Sequence, residues 1–350
     1  MYSEKVESLI EKYNTTDDKK QKAEIGVALN RALIMNCHFE EGLKYAFEAL
    51  KLIGETDSTD LILDCLGGIA CNYFNQNNFE QALVYFEKCL EYYHKYPQKG
   101  YLTSIYLNIG GCYYNMFDNY KAVENYLLAN DALDEKVPVG TIEHLYSALG
   151  VIYTDTGDYK KSEEWHTKAL KLENAVKQDI TYFHLGYLHK RKKNHLLAIR
   201  YYKKSLELTP YKENFTHFSK LHIYIAELYH TLGKNDEAIE YGNLALEYAI
   251  KSSIIEEIVE AYICLATIHK NIHDFKKAKE YFKQCLAKEK EVENEELSER
   301  LFDRYSQFCF YLKNAKEGHI YKKKYMEIKE KREKEAMEKK IEFVKGIKNS

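Results

Sequence analysis

The chain has 350 residues, of which 45% are hydrophobic and 30% are charged, a composition that excludes an intrinsically disordered protein and a membrane-embedded one. Lys and Arg number 51 against 54 Asp and Glu, so the chain lacks the basic excess typical of nucleic-acid binders. We therefore expect neither nucleic acid nor membrane as a partner. The charged N-terminus lacks the apolar core of a signal peptide, which predicts a cytoplasmic protein.

The first element in chain order is a short helix over Ser3–Tyr13, which we interpret as an N-terminal cap within residues 1–18. From residue 19 onward the chain repeats. A small residue recurs at one position, with separations of 40 residues except for one of 36, at Gly42, Ala82, Ala122, Ser162, Ala198, Ala238, Ala278 and Gly318. A second small position lies twelve residues upstream, at Ala70, Gly110, Gly150, Gly186, Ala226, Ala266 and Ser306, with Asn30 as the exception.

Large rings recur between the small positions, for example Tyr73, Tyr113 and Tyr153, or Phe86, Tyr126 and Tyr202. Small residues allow two helix backbones to approach closely, and rings fill the space between successive helix pairs. The pattern predicts an all-α solenoid of about eight helix pairs followed by a long C-terminal helix. The predicted repeats comprise residues 19–58, 59–98, 99–138, 139–175, 176–211, 212–253, 254–293 and 294–325, and residues 326–350 form a charged helical tail.

Two stretches carry a family resemblance. Leu149-Gly150, Tyr153, Gly157 and Ala169 follow one pattern, and Leu185-Gly186, Ala198, Tyr202 and Pro210 follow it again. This pattern resembles the tetratricopeptide repeat, and the resemblance covers residues 19–325. It implies a right-handed superhelix whose first helices line a concave groove that binds peptides or protein segments.

The repeat of 40 residues is longer than the usual 34, so each helix gains about one turn. Such long repeats resemble those of bacterial Rap-like peptide-pheromone receptors and of sensor arrays that precede kinases or cyclases. Residues 1–18 leave no room for the output domain of those receptors, so we do not carry their function over directly. Three hypotheses remain: a scaffold that binds a peptide or protein partner, a pheromone-responsive regulator of a response regulator, and the sensor portion of a kinase or cyclase.

The groove residues are predicted from their register on the first helices. Side chains two before, one after, and four or five after the small position should point inward. Asparagines there can bond an extended peptide backbone as donors and acceptors. The predicted partner-binding residues are Asn75, Asn108, Tyr114, Asn115, Asp155, His184, Tyr187, Lys190, Arg191, Tyr224 and Lys270.

Metal and catalytic chemistry find no support in the sequence. His269 and His273 have the i, i+4 spacing of zinc ligands, but they occupy a ring position and a turn position of the repeat. The eight cysteines form no CxxC pair, and we interpret them as buried thiols: Cys37, Cys65, Cys71, Cys89, Cys112, Cys264, Cys285 and Cys309. No nucleotide-binding or hydrolase motif occurs. We expect no enzyme activity, no metal and no cofactor.

The tail leaves three interpretations open: a capping helix exposed to solvent, a helix that mediates dimerisation or docks a partner, and a patch that binds nucleic acid or membrane. Residues 321–348 hold 11 Lys or Arg and 6 Glu, which favours one long polar helix exposed to solvent. Met337, Ile341 and Val344 follow at i, i+4 and i+7, a spacing that would allow a homodimer through this helix.

Overall fold

A computed structural model describes residues 3–53, 58–210 and 214–349, and within α17 it describes the side chains up to residue 334 and that of Met337. Within these ranges all regular secondary structure is helical, and there is no strand. The helices are α1 (Glu4–Thr15), α2 (Lys19–Met35), α3 (Phe39–Leu52), α4 (Thr59–Asn75), α5 (Phe79–Lys95), α6 (Tyr101–Asn115), α7 (Asn119–Asp131), α8 (Val139–Asp155), α9 (Tyr159–Leu170), α10 (Gln178–Arg191), α11 (His195–Leu208), α12 (Phe215–Thr231), α13 (Asn235–Ser252), α14 (Ile255–Asn271), α15 (Phe275–Ala287), α16 (Glu295–Tyr311) and α17 (Ala315–Asn349).

The described helices after α1 form eight antiparallel pairs, which confirms the predicted fold class. The first helices are the even-numbered α2 to α16, and the second helices are the odd-numbered α3 to α17. The chain divides into two compact units, an N-terminal unit, Met1–His184, and a C-terminal unit, Leu185–Ser350. The predicted boundary between the fifth and sixth repeats, at 211–212, lies outside the described residues.

Each pair turns at one residue with a left-handed backbone. The φ angles of these residues lie between 58° and 85°, at Cys37, Asn77, Phe117, Gly157, Lys193, Gly233, His273 and Lys313. In several pairs the next residue is an Asn or Asp whose side chain caps the second helix, as Asp118 does by accepting a hydrogen bond from the Lys121 N–H. The turn therefore recurs with the repeat although the residue with positive φ is usually not glycine.

The small residues lie in the buried contacts between helices, and several of them pack against a ring. Ala82, Ala122, Ala198, Ala238 and Ala278 are all fully buried. A Cβ added at Gly110 would lie 2.5 Å from the Tyr126 ring, and one at Gly186 would lie 2.5 Å from the Tyr202 ring. Such distances are far below van der Waals contact, so these two positions require glycine.

Asn30 is the exception to the small residues, and the structure explains it. Its Oδ1 accepts a hydrogen bond of 2.7 Å from Asn72 Nδ2 in the next first helix, and both side chains are buried. Asn72 Nδ2 also donates to the Phe39 carbonyl at 3.1 Å. Room for the two amides comes from Gly42, where a Cβ would lie 2.7 Å from Asn72 Nδ2. A polar pair thus takes the place of a ring in the first repeat.

His166 occupies the ring position of the fourth repeat, where the second, third, fifth and seventh repeats carry Phe or Tyr. It is fully buried, and neither ring nitrogen has a hydrogen-bond partner among the described residues. A Cβ on Gly150 would lie 2.3 Å from its ring. Burial, with His184 as a second cause, lowers the pKa of His166 to about 3.

This depressed pKa predicts acid sensitivity. The unfolded chain binds a proton at this histidine below a pH of about 6.5, whereas the folded chain stays neutral there until the pH approaches 3. Stability should therefore fall as the pH drops below about 6.5. His166→Phe should reduce the loss in the urea midpoint between pH 7.5 and pH 5, whereas the change at exposed His94, His94→Asn, should not. Equal acid losses in all three proteins would contradict the assignment.

The last helix, α17, is the second helix of the eighth pair and continues without interruption to Asn349. Ion pairs join it to the preceding first helix: Arg332 Nη1 lies 2.6 Å from Glu299 Oε2, and Lys322 Nζ lies 3.2 Å from Asp303 Oδ1. Met337, farther along, is 60% exposed. The side chains of Ile341 and Val344 lie outside the described residues, so dimerisation through this helix stays a prediction.

Candidate functional site

One face of the first helices carries the candidate site. We number positions from the small residue of each first helix and define the first-helix face by positions −6, −2, +1, +4 and +5. Steps of three or four residues keep these positions on one side of an α-helix. In each unit this face lines a cavity, and the two cavities are described separately.

The cavity of the N-terminal unit has a volume of about 820 Å³ and lies against α2, α4 and α6. Arg31, Asp64, Tyr101 and Asn108 contribute polar groups to its lining. The Tyr101 hydroxyl donates to Asp64 Oδ1 at 3.2 Å. Burial raises the pKa of Asp64 above its usual value, against the opposing effects of that hydrogen bond and of Arg31. This end of the cavity therefore offers both hydrogen-bond donors and acceptors.

Two adjacent glycines of α4, Gly67 and Gly68, line the same cavity. A Cβ at Gly68 would lie 2.9 Å from Asn30 Nδ2, so packing explains that glycine. A Cβ at Gly67 would meet no atom within 4 Å. Glycine inside a helix costs about 0.5–1 kcal/mol relative to alanine. Packing within the protein therefore gives no reason for that cost at Gly67.

The cavity of the C-terminal unit has a volume of about 460 Å³ and lies against α10, α12, α14 and α16. Its apolar lining includes the buried Ile223, Ile263 and Ile268. Its charged lining consists of Lys190, Glu227, Glu260, Arg300 and Arg304. Lys190 Nζ lies 2.9 Å from Glu227 Oε2 and 4.7 Å from the centre of the Tyr224 ring. Burial raises the pKa of Tyr224 to about 12.

Polar contacts join successive first helices along this face. Tyr114 OH donates to Asp155 Oδ2 at 2.7 Å, joining α6 to α8. Equivalent positions meet in the C-terminal unit, where Asn271 Nδ2 lies 2.9 Å from His230 Nε2. The two residues of each contact are 41 positions apart. The repeat thus places polar groups of neighbouring helices within reach of each other.

The predicted groove residues divide into three sets. Asn108 lines the N-terminal cavity, and Lys190 and Tyr224 line the C-terminal one. A second set makes contacts on the same face: Tyr114 with Asp155, and Tyr187 with Arg191, whose Nη1 lies 3.2 Å from the tyrosine hydroxyl.

The third set lies outside both cavities. Asn75 and Asn115 are exposed, and each amide donates to a carbonyl of its own helix, Cys71 O at 2.7 Å and Gly111 O at 2.8 Å. His184 stacks on His166 with ring centres 5.8 Å apart, so it contacts a second helix. Lys270 is half-buried and lines neither cavity. A role for these four residues stays a prediction.

The register used for the prediction begins at position −2 and so leaves out the helical turn before it. Position −6, four residues before the predicted −2, supplies Asp64, Glu260 and Arg300 to the two cavities. Arg304, at position −2, and Glu227, at position +1, lie at positions that the register predicts to face the groove, but they are not among the predicted binding residues. Extending the same register by one turn toward each N-terminus would have found the first three.

In the part of the chain that the structure describes, no group of three or more His, Cys, Asp or Glu side chains is arranged to hold a metal. His269 is buried and stacks on Tyr281, whereas His273 is exposed at a turn. All eight cysteines are free thiols. The prediction that all are buried is wrong for Cys37, which is exposed because it forms the first turn, and Cys71 is half-buried.

Comparisons with known proteins agree with this geometry. Residues 62–95, 140–210, 220–249 and 259–287 match models described as tetratricopeptide repeat. The Sol locus transcriptional repressor of Clostridium acetobutylicum is 31% identical over 169 residues, 48% of this chain and 47% of the repressor. The chain therefore spans about half the length of that curated relative.

Two solved structures resemble the chain along most of its length. The apo form of the quorum sensor NprR from B. thuringiensis has a TM-score of 0.66 at 19% identity, covering 92% of this chain and 91% of NprR. A Rap protein complexed with competence and sporulation factor has a TM-score of 0.58 at 15% identity, covering 92% and 90%. At these identities the likeness concerns the fold.

Every helix in the described ranges is too short or too polar to span a lipid bilayer. The matching models describe a repeat fold and not a catalytic one.

Eight described helix pairs, the small and large positions that recur with them, and the matches in four segments agree with one another. The chain therefore has the fold of a tetratricopeptide-repeat solenoid, with matches to that repeat in these four segments.

Proposed function

We propose that the protein is a regulator that binds an extended peptide, or an extended segment of a partner protein, on its first-helix face. The observation that carries the proposal is the 820 Å³ cavity of the N-terminal unit, which combines polar side chains with an unobstructed glycine. The volume lies in the range of about 300–1,000 Å³ typical of ligand pockets.

The chemistry of this cavity suits a polypeptide backbone. An extended peptide presents N–H donors and C=O acceptors in alternation, and leaving either unpaired on burial is costly. The Asn108 amide supplies donors and an acceptor, Arg31 supplies donors, and Asp64 supplies acceptors. Gly67 allows the ligand to lie directly on the α4 backbone.

A finer proposal concerns regulation by a signal peptide. The structural neighbours include a quorum sensor and a Rap protein complexed with competence and sporulation factor, and the curated relative is a transcriptional repressor. We propose that a bound peptide changes the packing between repeats and so controls capture of a second protein. The scaffold hypothesis requires only the first binding event, so measuring partner capture with and without peptide separates the two.

The binding test uses a library of random octapeptides selected on the full-length protein, with dissociation constants measured by fluorescence polarisation. Asn108→Ala should weaken the selected peptides roughly threefold to tenfold, since one hydrogen bond contributes about 0.5–1.5 kcal/mol. Gly67→Ala should weaken them by steric exclusion while making the protein more stable. The outward-facing change Lys160→Ala is the control and should leave binding unchanged.

Two results would contradict the proposal. One is a library from which no peptide is selected. The other is a set of selected peptides that bind wild type, Asn108→Ala and Gly67→Ala with the same affinity, since the peptides would then bind elsewhere.

A further inference from the structure

The cavity of the C-terminal unit has an apolar floor and charged walls. Ile223, Ile263 and Ile268 are each less than 5% exposed and form part of the floor, where Leu228 also lies. The walls come from α10, α12, α14 and α16, each of which contributes at least one charged side chain. A ligand here would bury an apolar group while a polar group stays within reach of the walls.

The charges on the walls do not cancel. Lys190 pairs with Glu227 at 2.9 Å, and Arg300 Nη2 pairs with Glu260 Oε1 at 2.5 Å. Arg304 is half-buried and makes neither a hydrogen bond nor an ion pair within the described ranges. Two ion pairs and one further cation leave the cavity with a single excess positive charge.

His195 also lines this cavity, but its Nδ1 is buried away from the open space and makes no hydrogen bond to any residue that the structure describes. The group that points to a polar ligand is therefore the guanidinium of Arg304. It is a charge at a partly apolar cavity without a partner among the described residues, and a charge in such surroundings is stabilised by a partner of opposite sign.

The excess charge and the neighbouring acids select the ligand's class. A guanidinium presents two parallel N–H donors that match the two oxygens of a carboxylate. A phosphate would bring nearly two negative charges close to Glu227 and Glu260, whereas a carboxylate brings one, which Arg304 balances. The apolar floor requires an apolar group attached close to that carboxylate.

We propose that this cavity is a subsite for a carboxylate adjoining an apolar group, with Arg304 as the residue that binds the carboxylate. The inference rests on the proposed function in that the ligand is a peptide. The carboxylate has two sources, the C-terminus of a peptide or an Asp or Glu side chain. Both make the same contact with Arg304, and the experiment distinguishes them.

The experiment uses octapeptides selected on the wild-type protein, each synthesised as the free acid, as the C-terminal amide, and with its Asp and Glu replaced by Asn and Gln. Binding is measured for wild type, Arg304→Gln, Arg304→Lys and the control Lys316→Gln, whose lysine is exposed on α17. Thermal unfolding verifies that each variant is folded.

We expect removal of one carboxylate source to weaken binding to wild type by roughly tenfold to a hundredfold. The same removal should have little effect on Arg304→Gln, because that variant has already lost the contact, and Arg304→Lys should recover part of the affinity. Loss with the amide identifies the C-terminus, and loss with Asn and Gln identifies a side chain.

The failures of the two proposals differ. If peptides bind but Arg304→Gln binds them as wild type does, the carboxylate subsite is wrong and peptide binding stands. If Arg304→Gln weakens acid and neutral peptides equally, Arg304 contacts something other than a carboxylate and the subsite is again wrong. If no peptide binds, both proposals fail.

Discussion

Gly150→Ala should destabilise the N-terminal unit by about 1–3 kcal/mol, even though alanine is the better helix former. The added methyl group would lie 2.3 Å from the His166 ring, which is fully buried and has no room to move away. The free energy of unfolding, measured by urea denaturation at pH 7.5, tests this expectation.

The matched control is the same substitution at Gly67, a glycine of α4 that faces open space instead of a ring. Gly67→Ala should raise the free energy of unfolding by about 0.5–1 kcal/mol, because no atom lies within 4 Å of the new methyl group. Effects of the same sign at both glycines would mean that the pairing of Gly150 with His166 is wrong.

Asn72→Ala should have an effect of similar size, about 2–4 kcal/mol, for a different reason. The substitution leaves Asn30 Oδ1 without its buried donor and Gln76 Nε2 without its acceptor, and each unsatisfied group costs about 1–3 kcal/mol. Chemical denaturation of the full-length protein measures the loss.

A double-mutant cycle isolates the amide pair. Asn30→Ala combined with Asn72→Ala should destabilise the protein by less than the sum of the single changes, since the second substitution removes a group that the first has already left unpaired. The control is exposed Asn75, whose Asn75→Ala change should cost well under 1 kcal/mol. Strict additivity for Asn30 and Asn72 would refute the coupling.

The fold could be predicted because helix packing in a repeat is local. A small residue recurs at steps of 40 residues, or 36 once, and most repeats carry a ring at a constant offset from it. This pattern identifies the two helices that pack together in a repeat, and the family resemblance supplied the topology. The one irregular position, Asn30, could not be interpreted from sequence. Its partner Asn72 lies 42 residues away, and only the structure shows the two amides side by side.

The site was predicted less well, and the reason is physical. The register of a residue predicts the side of the helix on which it lies, but it does not predict the group to which the side chain forms a hydrogen bond. Asn75 and Asn115 have the correct register, yet their amides bond carbonyls of their own helices. Arg304 was overlooked because its distinguishing property, a charge without a partner among the described residues, depends on the ion pairs that its neighbours make.

Rings and small residues face each other within a repeat, which bears on how such a chain can evolve. Gly110 accommodates Tyr126, whereas the preceding repeat combines Ala70 with Phe86 in one cluster. Recombination at the turn between the two helices of a pair would bring Ala70 against Tyr126, where the added methyl group has no room. Recombination in the connection between pairs would transfer each ring together with its matching small residue. Duplication and exchange should therefore preserve whole helix pairs, with breakpoints such as residues 96–100 tolerated and breakpoints such as 116–118 selected against.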